Sequence, residues 1–168
     1  ANISTSVNGK RLAYDICPVN TVLNYYAEKL GMEYDRDGDV ARSGHLNPEL
    51  LEELEALPFY KLPAPKSLGI EWVNKEVLPV LKKHEADIPS ILRTWCMHVA
   101  LQISKELGNE EDADVLVTGG GCFNTYLIQQ IKKMTQTQLV IPSVEIINFK
   151  EALIFGFLGV LKLRGEVN

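Results

Sequence analysis

Val115-Leu116-Val117-Thr118-Gly119-Gly120-Gly121-Cys122-Phe123-Asn124 reads as a strand, a glycine turn and the start of a helix. Asp114 to Thr118 is a short β-branched run, and Asn124 to Met134 carries apolar residues at helical spacing. Three consecutive glycines between them leave the turn without a Cβ, so a ligand can lie directly against the backbone. The unpaired N–H groups at the start of the following helix favour anionic or polar acceptor atoms. Nucleotide binding is one use of such a turn, and a tight strand-to-helix connection needing positive φ is the other. The spacing G-x-x-x-x-G-K-[ST] is lacking, which excludes a P-loop.

Working outward, Gln138 to Ile141 supplies another short strand and Phe149 to Leu163 a closing helix, whose apolar run Ala152 to Leu161 is expected to be buried. Toward the N-terminus, Ile3 to Val7 and Lys10 to Ile16 are β-prone runs joined by Asn8-Gly9, the dipeptide of a type I′ hairpin. Asp15 then leaves a strand end facing the helix Thr21 to Leu30, which Gly31 stops. Pro48 to Leu57 is a helix with Asn47 as N-cap and Pro48 in its first position. Pro58, Pro63 and Pro65 make Phe59 to Leu68 an extended connector, and Glu71 to Lys83 resumes helical spacing with a kink or break at Pro79. Asp87 to Leu107 is the clearest long helix, with Ile88, Leu92, Trp95, Val99 and Ile103 on one face and Gly108 at its end. This order predicts an α/β fold, a mixed sheet with helices packed on it, in one domain spanning residues 1–168.

Of the 168 residues, 46% are apolar and 23% charged, enough to bury a core. The net charge of −5 is spread over mixed-sign helices without a basic stripe, so nucleic-acid binding lacks electrostatic support. Cys17, Cys96 and Cys122 are odd in number and far apart, which indicates neither a disulfide framework nor a zinc site and fits a reduced cytoplasm. The run Ala152 to Leu161, bounded by Glu151 and Lys162, is too short for a membrane span. The chain opens on Ala1 with neither an initiator Met nor a signal pattern, and reads as part of a longer protein.

Asp15, in Tyr14-Asp15-Ile16-Cys17-Pro18-Val19-Asn20, is a strand-end carboxylate that could serve as a general base near a phosphate or simply form a turn. Tyr34-Asp35-Arg36-Asp37-Gly38-Asp39 is an acid-rich turn. A calcium loop counted from Asp35 would need a glutamate where Leu46 stands, which leaves a solvated loop or a border of the nucleotide site. In Pro65-Lys66-Ser67-Leu68-Gly69-Ile70-Glu71, the lysine and serine beside a glycine could meet phosphate or sugar hydroxyls. His45, His84 and His98 have no metal-site spacing, so no metal ligands are assigned, and His98 on the long helix reads as a packed side chain.

Taken in order, these segments resemble the second domain of the anhydro-N-acetylmuramic acid kinases, members of the actin and sugar-kinase superfamily. Asn2-Ile3-Ser4-Thr5-Ser6-Val7 is similar to that family's N-I-G-G-x-A opening, and Tyr14 to Asn20 to its F-D-T-G-P-G-N element. Tyr34 to Gly44 is similar to Y-D-x-x-G-x-x-A-x-x-G through Gly38, Ala41 and Gly44, and Pro65 to Glu71 to P-K-S-T-G-R-E. Gly119-Gly120-Gly121 with Asn124 matches G-G-G-x-x-N, and Lys150-Glu151-Ala152 with Phe155 matches the closing K-E-A-x-x-F.

The resemblance implies an actin-like, ribonuclease H-like ATPase domain and a cytoplasmic enzyme of cell-wall recycling. That enzyme uses ATP and Mg2+ to open the ring of 1,6-anhydro-N-acetylmuramic acid and phosphorylate the C6 oxygen. It further implies that Asp15 is the catalytic base and that Gly119, Gly120, Gly121, Asn124, Asn20, Asp35 and Gly38 lie at the nucleotide. Lys66, Glu71 and Glu151 would lie toward the sugar. The partners it implies are a first lobe, without which this chain is inactive, and a second copy in a homodimer. The chain departs from the family pattern where Ile16-Cys17-Pro18-Val19 stands for T-G-P-G and Ser4-Thr5 for the paired glycines, so the glycines that let backbone approach phosphate are replaced. Those changes motivate one alternative, a degenerate nucleotide-binding or interaction module without turnover.

Overall fold

The computed structural model describes residues 1–108 and 114–166. Strands β1 (Asn2–Val7) and β2 (Lys10–Asp15) form an antiparallel hairpin in which Asn2 faces Asp15 and Val7 faces Lys10. Asn8 and Gly9 both adopt positive φ, 51° and 75°, which is the type I′ turn that Asn-Gly favours. Helix α1 (Asn20–Lys29) follows and buries Val22, Leu23, Tyr26 and Ala27.

The acid-rich turn is more ordered than a solvated loop. A 3-10 turn, Arg36–Gly38, leads into the short helix α2 (Asp39–Ser43), and the buried Asp35 carboxylate accepts from the N–H groups of Val40 and Ala41, both at 2.9 Å. Asp35 thus satisfies donors that the helix start leaves without partners. In α3 (Pro48–Glu55), Asn47 caps Leu50 N–H at 3.1 Å and Leu50 and Leu54 face the core.

A 3-10 turn over Pro58–Lys61 opens the connector that the prolines mark as extended. Then come α4 (Ile70–Trp72), a π-helical turn over Val73–Val77 and α5 (Leu78–Lys82). The expected break falls on the N-terminal side of Pro79: a wider π turn precedes it, and the proline occupies the first turn of α5, where its missing N–H costs nothing.

Helix α6 (Ile88–Leu107) is the centre of the molecule. Asp87 caps it by accepting from Ser90 N–H, and its buried side chains Leu92, Trp95, Val99 and Ala100 join α1, α3 and α7 in one core. Strand β3 (Asp114–Leu116), a 3-10 turn over Gly120–Phe123, α7 (Thr125–Met134), β4 (Gln138–Val140) and α8 (Val144–Leu163) complete the order. β3 and β4 pair in parallel across α7.

Two expectations fail. The fold is α/β with helices flanking small sheets, but among the described residues the strands do not form one mixed sheet: the hairpin and the parallel pair are separate two-stranded ladders. No ladder hydrogen bond joins them, and a cleft separates the ends of β2 and β3. The run Ala152 to Leu161 is not buried either: Leu153, Phe155 and Phe157 are 60 to 71% exposed. α8 begins at Val144, five residues ahead of its predicted start, and Ile147 is its one buried side chain among the described residues. The helix touches the body along a narrow stripe, and its remaining apolar faces are exposed among the described residues.

Candidate functional site

Asp15 stands at the end of β2, where the chain turns away from its ladder partner. Its N–H donates to Lys66 O at 2.9 Å, and its Oδ2 accepts from Leu68 N–H at 3.0 Å. Three neighbouring clefts lie here, two of which border Asp15 itself. The first, about 470 Å3, is bordered by Asp15, Pro18, Asn20 and the turn Gly119–Gly121. The second, about 350 Å3, shares Asn20 and Gly120 with it and extends to Tyr34, Asp35, Phe123 and Asn124. The third, about 500 Å3, lies across Asp15 and includes Asn2, Ser4, Tyr14, Lys66 and Ser67. The structure therefore brings Asp15, Asn20 and the three glycines to the first cleft and Asn20, Gly120 and Asn124 to the adjoining second one.

The glycines are there for space as well as for conformation. Gly119 has φ +91°, and a Cβ on Gly120 would stand 3.1 Å from Asn20 Nδ2. The Asn20 amide lies against the turn and forms the wall between the first two clefts. Asn124 is buried; its Oδ1 accepts from Leu127 N–H at 2.9 Å and so caps α7. Gly38, at φ +71°, packs so closely that a Cβ would come within 2.3 Å of Asn124 Oδ1, which ties the acid-rich turn to the glycine turn.

These two clefts have a definite electrostatic character. α1 starts at Asn20 without a side-chain cap, and the first N–H groups of a helix have no acceptor inside it. Asn20 and Thr21 border the first cleft, so an anion there meets a helix N-terminus opposite a glycine turn. No lysine or arginine borders either of the first two clefts among the described residues, and Asp15 is the sole acid at the first. Burial raises the thiol pKa values of Cys17, to about 12, and Cys122, so both stay neutral and thiolate chemistry is unsuited to this site.

The other predicted residues have different places. Lys66 borders the third cleft, but its ammonium is paired with Glu106. Glu71 and Glu151 are exposed and border none of the three clefts. Lys150, beside Glu151, donates to Thr118 Oγ1 at 2.7 Å and joins α8 to the strand end ahead of the glycines. Sequence reasoning missed Leu68, whose N–H fixes the Asp15 carboxylate, because a backbone donor has no residue signature. It also missed Tyr34 and Phe123 as lining residues, although both stand inside segments singled out for other reasons.

Among the described residues no group of three or more His, Cys, Asp or Glu could hold a metal ion, and no helix is long and apolar enough to cross a membrane. The sequence matches the family model for anhydro-N-acetylmuramic acid kinase over residues 1–166. The chain belongs to that family. It is 35% identical over 142 residues to the anhydro-N-acetylmuramic acid kinase of Pasteurella multocida (strain Pm70), covering 78% of this chain and 37% of the relative. The kinase of the same name from Shewanella sp. (strain W3-18-1) is 33% identical over 127 residues, covering 71% and 34%. That of Actinobacillus pleuropneumoniae serotype 5b (strain L20) is 28% identical over 166 residues, covering 94% and 45%. The chain thus matches between 34% and 45% of the length of these relatives.

Proposed function

We propose that this chain is the nucleotide-binding lobe of an actin-like, ATP-dependent anhydro-N-acetylmuramic acid kinase, and that Asp15 is its catalytic base. The observation that carries the reading is the convergence of Asp15, Asn20, Gly119–Gly121 and Asn124, remote in sequence, on two adjoining clefts that share Asn20 and Gly120, in a chain that belongs to this family.

In this reading the phosphates lie in the first cleft, against backbone N–H groups of the glycine turn and the start of α1. The adenosine part extends into the second cleft, where the half-exposed rings of Tyr34 and Phe123 offer faces for a purine. Among the described residues these two clefts supply no side-chain cation, so the charge of the phosphates calls for a counter-ion. Mg2+ fits that need when it is held chiefly by phosphate oxygens and waters, since Asp15, the acid at the first cleft, is assigned to proton transfer. Bound there, Mg2+ would neutralise charge on the transferring group.

The third cleft, on the other side of Asp15, suits the sugar. Asp15 takes a proton from a water that attacks the anomeric carbon. The bond from that carbon to the ring-closing oxygen breaks, and the freed C6 oxygen accepts the γ-phosphoryl group, giving N-acetylmuramic acid 6-phosphate and ADP. Leu68 N–H holds Oδ2, and among the described residues Oδ1 takes no hydrogen bond, which leaves it to receive the proton. The reading includes a further lobe that closes over the sugar and excludes water, a cytoplasmic setting, and inactivity of this chain by itself.

The test is phosphoryl transfer by the full-length protein with ATP and 1,6-anhydro-N-acetylmuramic acid. Asp15→Asn should lower kcat by about 100- to 10,000-fold while nucleotide affinity by calorimetry is retained. Nucleotide binding without turnover in the unsubstituted protein would favour the degenerate module, for which Ile16, Cys17 and Val19 in place of the family's phosphate-loop residues are the motive.

A further inference from the structure

The Asp15 carboxylate is held by a segment that has little else to hold it. Residues 61–65, Ser67, Gly69 and Ile70 are exposed, and the segment makes no strand ladder. Its links to β2 are the two hydrogen bonds with Asp15, one from each side of Lys66-Ser67-Leu68. A strap of this kind would let the carboxylate swing, unless something fixes the strap.

What fixes it is a charged brace between the residue before Asp15 and α6. Successive strand residues point to opposite sides, so Tyr14 reaches α6 with its hydroxyl, while it and Lys66 also border the third cleft beside Asp15. The Tyr14 hydroxyl donates to Glu106 Oε2 at 2.7 Å, and the Lys66 ammonium stands 3.5 Å from Glu106 Oε1. Lys66 is almost fully buried, its side chain 6% exposed, and its ammonium lies 5.1 Å above the Phe59 ring. Each oxygen of one carboxylate on the last turn of α6 therefore holds a different neighbour of Asp15: the residue before it on β2 and the residue that accepts its N–H. Burial first, and then the Glu106 carboxylate, push the Tyr14 hydroxyl up to about 12, so it remains a donor across the working range of a kinase.

Stability alone is a poor reason for such an arrangement. Taking an ammonium and a carboxylate out of water offsets most of their attraction, and an apolar pair of similar volume is often as stable. An ion pair does differ from an apolar pair in direction: it specifies where each partner sits.

We propose that Tyr14, Lys66 and Glu106 are positioning residues that lock the 66–68 strap onto Asp15 and so hold Oδ2 on Leu68 N–H with Oδ1 turned to the clefts. The inference rests on the reading of Asp15 as the base, but the brace itself can be measured without turnover.

The experiment compares the full-length protein with its Glu106→Gln, Lys66→Met, Lys66→Arg and Tyr14→Phe variants in two measurements. In hydrogen exchange the Leu68 amide is protected in the parent, loses about 10-fold or more of that protection in Glu106→Gln and Lys66→Met, and regains most of it in Lys66→Arg. In steady-state kinetics kcat falls about 10- to 100-fold in the first two variants while KM for ATP stays near its parent value, and Lys66→Arg recovers most of kcat. Tyr14→Phe, which removes one hydroxyl and little volume, shifts both readouts in the same direction by less. Unchanged Leu68 protection in Glu106→Gln overturns the brace. So does a fall in kcat accompanied by an equal rise in KM and no recovery in Lys66→Arg. Loss of Leu68 protection in a protein whose parent form has no turnover upholds the brace and overturns the kinase reading instead.

Discussion

Helices α6 and α8 each run for twenty residues, yet α6 buries ten side chains and α8 buries one, Ile147. The more apolar helix is the more exposed. α6 carries Thr94, His98 and Gln102 into the core because each finds a partner there: Thr94 donates to Ser90 O, and His98 and Gln102 both reach Glu55 on α3. α8 shows solvent a stripe of Ile146, Phe149, Leu153, Phe157 and Val160 at helical spacing, with Phe155 on another side. A helix apolar on several sides is normally covered on several sides, and here those sides are exposed. The difference teaches that in this chain burial follows the position of neighbouring elements and not hydropathy. Among the described residues the core that shapes the clefts is well buried, whereas the C-terminal helix leaves most of its apolar side chains exposed.

The sharpest way to break the comparison is to truncate the same kind of residue on both helices. Trp95→Ala on α6 should lower unfolding free energy by about 3–5 kcal/mol in a urea titration, since a fully buried indole leaves a cavity. Next in size is the tight contact between the acid-rich turn and the glycine turn. Gly38→Ala places a Cβ against Asn124 and Tyr126 at positive φ and should cost about 1–3 kcal/mol by the same titration. Asn124→Ala removes the α7 cap and should cost about 1 kcal/mol, and in the proposed reading it also weakens nucleotide binding.

The His98–Glu55 contact gives a pH signature for the α6 core. Burial holds His98 below its ordinary value of 6.5, so it is neutral at pH 7 and its Nδ1–H donates to the Glu55 carboxylate. Burial acts to raise Glu55, but hydrogen bonds from His98, Lys105 and Gln102 outweigh it and bring the carboxyl down to about 2. Both groups bind protons later in the folded state than in the unfolded chain. The His98 contribution is therefore lost as pH falls below about 6.5, and the Glu55 contribution is present above about 4.5 and lost as pH falls toward 2. Urea midpoints should decline in two limbs between about pH 7 and pH 3, and Glu55→Gln should remove the lower limb. The smallest effect belongs to α8, where Phe157→Ala should change stability by less than about 0.5 kcal/mol; a loss comparable to that of Trp95→Ala would mean that α8 is packed after all.

The parts legible in the sequence are those governed by local rules. Asn8-Gly9 sets its turn through its own φ preferences, and Asn47, Asp87 and Asn124 cap the helices that follow them. Asn124 and the glycines were also legible as one unit because strand, turn and helix adjoin. The misses are matters of tertiary placement. Nothing local says whether a third element lies beside Leu153, or that the hairpin and the β3–β4 pair leave a cleft instead of sharing a ladder. Asp35 was legible as a residue of interest, but the sequence does not tell that its carboxylate turns back onto α2. The strand end at Asp15 was legible, but only the order of the family-like segments singles the residue out as a candidate base, and the strap that holds it comes from residues more than fifty positions away.

The central claim is that the two adjoining clefts from Asp15 to Asn124 bind ATP with phosphates against the glycine turn. A structure of the full-length protein with a non-hydrolysable ATP analogue and Mg2+ tests it directly. The account predicts phosphates beside Gly119–Gly121 and Asn20, with the base between Tyr34 and Phe123. An analogue bound away from these residues, with the two clefts left to solvent, would contradict it.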